Sequence, residues 1–378
     1  MIAERIQRYW FMRTPLCDLL RVDHPIIQSG MGRVAGPELV AEVSNAGALG
    51  ILAGLGLSAD DLRRQIRRVR ELTNRPFGVN LWLHDDLRPP HAPSEIPGET
   101  LRSAQQVLNR FRGRLELPES SAPPAPYPDV IAEAFAVILD ERVPVWSIGL
   151  GNPDRSMVER CRQAGTLVMA MVATVEDARA VAASGVDVIV AQGGEAGGHR
   201  STWKKPPSSA AAVVATMVLV PQIVSAVNQP VVAAGGIADG RGVVAALALG
   251  AQGALLGTRF VATQESMAPA MYKASLLAAS SDDTRVTDTF SGLYARALRN
   301  TYLTEYESSG ASVLPPLLQT KAAEDVYMAA AKRGDREYYP MWAGQSAGLI
   351  ADLPQARDVV RTIVAETDAA LARLRALG

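Results

Sequence analysis

The chain has 378 residues, a formal net charge of −1 and a charged fraction of 20%. This balance excludes the basic footprint of a nucleic-acid binder and any strong attraction to an anionic membrane, and it fits a small neutral or mildly anionic partner. Cys17 and Cys161 are the only cysteines and no Cys/His cluster occurs, which excludes a disulfide framework and a metal site and fits a reducing cytoplasm.

Met1 to Leu16 mixes Glu4, Arg5, Arg8 and Arg13 among its apolar residues and so lacks the unbroken apolar core of a signal peptide. Beyond it the pattern is a short apolar run, a turn and a segment of helical period, which is how a parallel sheet wrapped by helices is written. Pro25 to Met31 reads as a first strand and Pro37 to Ala46 as its helix, with Gly47 at the C-cap. Leu49 to Gly54 is the second strand, Ser58 caps a basic amphipathic helix through Arg70, and Phe77 to Leu83 is the third. Residues 84–128 are rich in Pro, Ser and Glu around one helical piece, Glu99 to Arg112, and form an insertion with the composition of a surface loop or of a lid facing a carrier.

The rhythm resumes with a helix at Asp129 to Asp140, a fourth strand at Val143 to Ile148, a helix from Pro153 to Ala164 and a fifth strand at Leu167 to Val172. Thr174 caps a helix to Ser184, and a sixth strand, Val186 to Ala191, runs into a glycine-rich segment ending at His199. Ala210 to Val220 is about half the length of a bilayer span and ends at Pro221, so it reads as a loop leading into a buried helix, Val220 to Val227. Val231 to Ala234, a helix at Gly242 to Leu249, and Ala254 to Leu256 complete eight runs. The count of eight and the lack of G-x-G-x-x-G after the first strand favour a closed TIM-type (β/α)8 barrel over an open doubly wound sheet. The expected organisation is a barrel over 1–83 and 129–260, the insertion 84–128, and a mostly helical segment 261–378 acting as a cap or a dimerisation element.

Barrel chemistry gathers at the carboxyl ends of the strands. After the seventh and eighth runs stand Gly235-Gly236 and Gly257-Thr258, where the absence of a Cβ lets N–H groups approach an anion and Thr258 adds a hydroxyl donor. The helix that starts after Asp239-Gly240 offers its N-terminal field to the same anion. After the sixth run, Gln192-Gly193-Gly194-Glu195-Ala196-Gly197-Gly198-His199 bends the chain around something bulky and presents an imidazole suited to proton transfer near neutral pH. His84 and His91 fall in the polar insertion and His24 precedes a proline, so His199 is the functional candidate. Asn80 ends the third run with an amide that donates and accepts, and Met31-Gly32 ends the first with a soft apolar side chain able to lie against a flat ring.

These segments resemble the nitronate monooxygenase family, once called 2-nitropropane dioxygenases, and the related flavin-dependent enoyl-ACP reductases. The resemblance runs through Pro25-Ile-Ile-Gln28, Pro76-Phe-Gly-Val-Asn80, Ala191-Gln192 to His199-Arg200, Ala233-Ala-Gly-Gly-Ile237, Leu256-Gly-Thr-Arg259, Arg296-Ala-Leu-Arg-Asn300 and Trp342-Ala-Gly-Gln-Ser-Ala-Gly-Leu349. It implies an FMN oxidoreductase in which Met31, Gly32, Asn80, Gln192, Gly197, Gly198, Gly235, Gly236, Gly257 and Thr258 hold the cofactor and His199 is the catalytic base. The implied reaction is oxidation of alkyl nitronates or nitroalkanes with dioxygen to carbonyl compounds and nitrite. The alternative is NAD(P)H-dependent reduction of an enone or of an enoyl or steroid-ring thioester, and a flavin sensor is a minor third reading. Ser29-Gly30-Met31 stands where the family often has Ala-Pro-Met, and Val168-Met169-Ala170-Met171 lacks a lysine that some members carry. Both departures bear on the substrate, not on the cofactor. A cytoplasmic enzyme, with a homodimer as one arrangement, completes the expectation.

Overall fold

The computed structural model describes residues 12–210 and 213–377. The expectation for Met1 to Leu16 therefore lies outside the described residues up to position 11, and that for Ala210 to Val220 does so at 211 and 212.

Eight parallel strands close into a barrel: β1 (Ile26–Gln28), β2 (Leu49–Ala53), β3 (Phe77–Leu83), β4 (Val145–Gly151), β5 (Leu167–Val172), β6 (Val188–Gln192), then β8 (Val231–Ala234) and β9 (Gly253–Leu256), with β7 (Gly198–His199) lying outside it. Closure is direct, because β9 returns to β1 with Ile27 opposite Leu255. Side chains alternate as strand period requires. Ile27, Ile51, Val145, Met169, Val190 and Val232 fill the interior, while Leu52, Val79, Leu81, Ile148 and Ile189 pack beneath the helices. The helix Pro15–Leu20 seals the amino end of the barrel with Leu16, Cys17 and Leu20, which join the interior cluster. Ser58 accepts from the Asp61 N–H at 3.1 Å and Thr174 from the Asp177 N–H at 3.0 Å, the caps expected of those residues.

Four local expectations change. The fourth strand starts two residues later than Val143 and runs on to Gly151, because Gly149 and Gly151 let it continue against Trp82 and Leu83 where a side chain would collide. The helix expected at Val220 to Val227 begins at Thr216, since the Glu195 carboxylate reaches across the site to accept from the Thr216 N–H at 2.9 Å. It is not a buried helix: Leu219, Val220 and Ile223 are covered, but Met217 is 68% and Val218 51% exposed. His84, assigned to a polar insertion, is wholly buried.

The two excursions from the carboxyl ends of β3 and β9 pack on each other. The helix Gly98–Arg114 gives Val107, Leu108 and Phe111 to a second core shared with Tyr302, Tyr306, Tyr327 and Phe290. Arg112 clamps the seam, pairing with Asp325 at 2.7 Å and donating to the Ala322 carbonyl at 2.7 Å. Within the mostly helical carboxyl segment, β10 (Thr284–Thr287) and β11 (Ala295–Leu298) form an antiparallel pair, and β11 also pairs with β7, setting Ala295 opposite His199.

The last helix, Ala356–Arg375, corrects the reading of 261–378 as one cap. Its Ala356, Val359, Val360 and Ile363 belong to the barrel core cluster, and it packs between the helices Gly240–Ala248 and Pro37–Asn45. That is the place of the eighth barrel helix, so the excursion after β9 ends before Ala356 and the chain returns to finish the ring.

Candidate active site

At the ends of β8 and β9, Gly235 and Gly236 take positive φ values of 106° and 72°, a pair open to glycine and strained for other residues. A Cβ on Gly257 would meet only the Met31 sulfur at 3.5 Å and the Ser29 Cβ at 3.8 Å. Among the described residues the N–H groups of Gly236, Gly257 and Thr258 donate to no other protein group. Thr258 is 7% exposed and its Oγ1 accepts from the Gly344 N–H at 3.0 Å, which leaves its own proton for another acceptor. The result is a small cradle of unspent donors. The helix Gly240–Ala248 does not add its N-terminus to that cradle as expected. Asp239 accepts from the N–H groups of Arg241 and Gly242, and Glu366 accepts from that of Gly240 at 2.9 Å.

Along β3, residues two apart share a face, so Asn80 and Trp82 both turn to the barrel mouth. Asn80 is 6% exposed, and its amide nitrogen donates to the Ser147 hydroxyl at 3.1 Å and leaves Oδ1 without a hydrogen bond among the described residues. Gln192 was expected to help hold the cofactor, and its amide is tied to the loop. Its nitrogen donates to the His199 carbonyl at 2.9 Å and its oxygen accepts from Arg200 and from the Ser201 N–H. Gly197 lies against Ala343 and Gly344 so closely that a side chain would collide with their backbone, while Gly198, at φ 75°, and Gly32 have open space where a Cβ would stand.

His199 sits between two indoles, 4.6 Å from the Trp82 ring and 4.9 Å from that of Trp342, centroid to centroid. Its Nε2 lies 2.8 Å from the Ser291 hydroxyl. Burial pushes its pKa down to about 3, and His84 and Arg200 push the same way. Arg200 is itself 2% exposed and has no carboxylate within ion-pair distance among the described residues; it donates to the carbonyls of Gly193 at 2.8 Å and Ala196 at 3.0 Å. Burial and Arg296 lower its pKa to about 9, so it stays charged at neutral pH. Arg296 grips the Gly194 carbonyl at 2.8 Å. Two guanidinium groups thus hold the carbonyls of the glycine-rich loop, and one of them, Arg200, places positive charge near a neutral imidazole. No group of His, Cys, Asp and Glu among the described residues is arranged to hold a metal ion.

Sequence reasoning missed Trp82, Trp342, Ser291, Arg200 and Arg296 as parts of this site. Trp82 was recoverable from its two-residue spacing to Asn80 on one strand. Ser291 and Trp342 come from the excursion after β9, and no local pattern ties them to His199.

Burial lowers the pKa of His24 and His84 as well as that of His199. An unfolded histidine titrates near 6.5, so below that pH the unfolded chain binds protons that the folded chain refuses, and stability falls as pH drops from about 6.5 towards 3. Urea unfolding at neutral pH and at about pH 5 checks this. His199→Gln is expected to shrink the acid loss; a loss equal to that of the parent chain would mean that His199 is not held neutral.

A closed barrel carrying a donor cradle at its last two strand ends, with a neutral histidine at the same mouth, is the arrangement of a (β/α)8-barrel oxidoreductase of the flavin-dependent type. The comparisons narrow the class. The model of the nitronate monooxygenase family matches residues 13–366, and the chain belongs to that family, whose members are FMN-dependent oxidoreductases. A probable nitronate monooxygenase of Staphylococcus haemolyticus is 36% identical over 345 residues, covering 90% of this chain and 93% of the relative. Among solved structures, nitroalkane oxidase from Streptomyces ansochromogenes is similar at a TM-score of 0.85 and 37% identity, covering 95% of this chain and 99% of that one. FabK from Thermotoga maritima is similar at a TM-score of 0.75 and 33% identity, covering 97% and 100%.

Proposed function

We propose that this enzyme oxidises alkyl nitronates with dioxygen, releasing a carbonyl compound and nitrite, with FMN as its cofactor. The observation that carries the reading is the imidazole of His199, held neutral by burial and by the neighbouring Arg200, on a loop whose Gly197 packs against Gly344, which in turn donates to Thr258 of the donor cradle. A base with so low a pKa is a weak proton acceptor. A substrate that arrives already ionised suits it, and the buried Arg200 favours an anion there. Neutral nitroalkanes, which must first lose an α-proton to His199, are expected to be the slower substrates.

The chain fits FMN at three points. The N–H groups of Gly236, Gly257 and Thr258, with the Thr258 hydroxyl, are available to its phosphate. Met31, whose sulfur lies over Gly257, offers an apolar surface to the ring, and the free Oδ1 of Asn80 offers an acceptor. Gln192, Gly197 and Gly198 shape the loop that presents His199. When bound, FMN supplies the electron-accepting ring and hands electrons on to dioxygen. Trp82 and Trp342 screen His199 from bulk water, which keeps the imidazole neutral and slows reprotonation of an anionic substrate.

Nitrite release from ethyl or propyl nitronate by the FMN-loaded enzyme tests the proposal. Turnover well above that of the corresponding nitroalkanes is expected, and the absence of nitrite would remove it. The likeness to FabK favours one second reading, NAD(P)H-dependent reduction of an enoyl thioester; rapid anaerobic bleaching of the flavin by NADH or NADPH would move the assignment there. Two buried free cysteines, Cys17 and Cys161, suit the cytoplasm as its location. No helix among the described residues is long and apolar enough to cross a membrane.

A further inference from the structure

We infer that Ser291 is a positioning residue that fixes the tautomer of His199, so that Nδ1 is the atom that takes the substrate proton. The inference rests on the proton-transfer role proposed for His199.

The Ser291 hydroxyl has three neighbours. Its Oγ lies 2.8 Å from His199 Nε2, 3.2 Å from the Leu293 carbonyl oxygen and 3.4 Å from the Leu293 N–H. A carbonyl only accepts and an N–H only donates, and a hydroxyl has one proton to give. The Leu293 carbonyl has no other donor among the described residues, and Leu293 is 4% exposed. If Ser291 gave its proton to His199, that buried carbonyl would be left unpaired, which is unfavourable. If it gives its proton to Leu293, every group is satisfied: Oγ accepts the Leu293 N–H and an Nε2–H from His199. The second arrangement puts the imidazole hydrogen on Nε2. No hydrogen bond to Nδ1 occurs among the described residues, so the lone pair there is free.

The surroundings hold Ser291 in place. Its carbonyl accepts from the Leu317 N–H at 2.8 Å, and its own N–H donates to the Asp288 carbonyl at 3.2 Å. The Asp288 carboxylate pairs with Lys205 at 2.6 Å, six residues beyond His199 on the same loop, and the Arg200 N–H donates to the Tyr294 carbonyl at 2.9 Å. The turn carrying Ser291 and the loop carrying His199 are therefore tied on both sides of the hydrogen bond. The charged and titratable groups acting on His199 are His84, on the turn after β3, and Arg200, on its own loop; both disfavour an imidazolium. Neither hydrogen-bonds to the ring, and the indoles of Trp82 and Trp342 touch only its faces and edges, so the choice of tautomer falls to Ser291.

In the step this supports, the α-carbon–hydrogen bond of a nitroalkane breaks and the proton joins Nδ1. The electron pair stays on the substrate as nitronate, and the resulting imidazolium keeps its Nε2–H on Ser291 until Nδ1 returns its proton to water.

The test uses the FMN-loaded enzyme with 15N-labelled histidine, the His199 resonances being assigned by their loss in His199→Asn. The parent chain is expected to show a protonated Nε2 and an unprotonated Nδ1. Ser291→Ala is expected to mix the tautomers and lower kcat/KM for a nitroalkane by about 10- to 100-fold, the loss seen when the outer partner of a metal-bound histidine is removed, with a smaller loss on nitronate. Ser291→Thr, which keeps the hydroxyl, should restore both. The proposal is overturned by a proton on Nδ1 in the parent chain, by unchanged tautomer signals in Ser291→Ala, or by equal losses on the two substrates. Should Ser291→Ala not fold, the parent spectrum and Ser291→Thr still decide. Because the ring signals need no turnover, a chain that releases no nitrite would remove the proposed reaction and leave the tautomer to be judged on its own.

Discussion

His199→Asn is expected to lower kcat/KM for neutral nitroalkanes by about 10²- to 10⁴-fold, the usual contribution of a positioned base, while alkyl nitronates lose far less. Asparagine keeps a polar amide between Trp82 and Trp342 but has no titratable lone pair to accept a carbon-bound proton. A nitronate needs no such acceptor. Because none of the cradle donors is on His199, the variant should purify with its full complement of FMN. Steady-state nitrite release from each form of the substrate, with flavin content from the visible spectrum, separates the cases. Equal losses on both substrates would assign His199 to binding rather than to proton transfer.

Gly257→Val is expected to weaken FMN binding by about a hundredfold or more. Gly257 has φ −105°, which any residue can adopt, and its missing Cβ would make only ordinary contacts with Met31 and Ser29, so the apoprotein should keep close to its parent melting temperature. The two γ-carbons of valine would fill the space in which the N–H groups of Gly257 and Thr258 meet a phosphate. A hydrogen bond to a charged group contributes about 1.5–3 kcal/mol, so losing two corresponds to at least a hundredfold in affinity. Thr258→Val removes one hydroxyl from the same place and should lie near tenfold. Quenching of FMN fluorescence on titration with apoprotein measures each value. An unchanged Kd in Gly257→Val would move the phosphate elsewhere.

Much of the barrel could be read from the chain because its strands are short apolar runs bounded by glycine, proline and helix caps such as Ser58 and Thr174, all of them local signals. What stayed hidden depends on distant partners. Glu195 starts the helix Thr216–Ala226 from across the mouth, and Gly149 extends β4 because Trp82 lies against it. The glycines of the cradle were legible because positive φ and close approach select glycine. The helix N-terminus beside them was over-read, since Asp239 and Glu366 had already taken its donors, the second from 126 residues away. His84 looked like a loop residue by composition and is buried under the fold. The clamp on His199 was illegible for the same reason: Ser291 lies 92 residues downstream, in a segment whose periodicity speaks only of helices.

The return of the chain as Ala356–Arg375 bears on how this enzyme comes off the ribosome. A nascent polypeptide released only as far as Leu256 owns all eight staves but lacks their final outer brace, and it has neither Ser291 nor Trp342. Until the last stretch is translated, the apolar flanks of the helices Gly240–Ala248 and Pro37–Asn45 stay uncovered, although Ser291, the partner of His199 Nε2, has already been made. The residues of the site are all in hand once Gly344 has been made, whereas the ring of outer helices closes only with Ala356–Arg375, so the brace is the last part of the barrel to arrive.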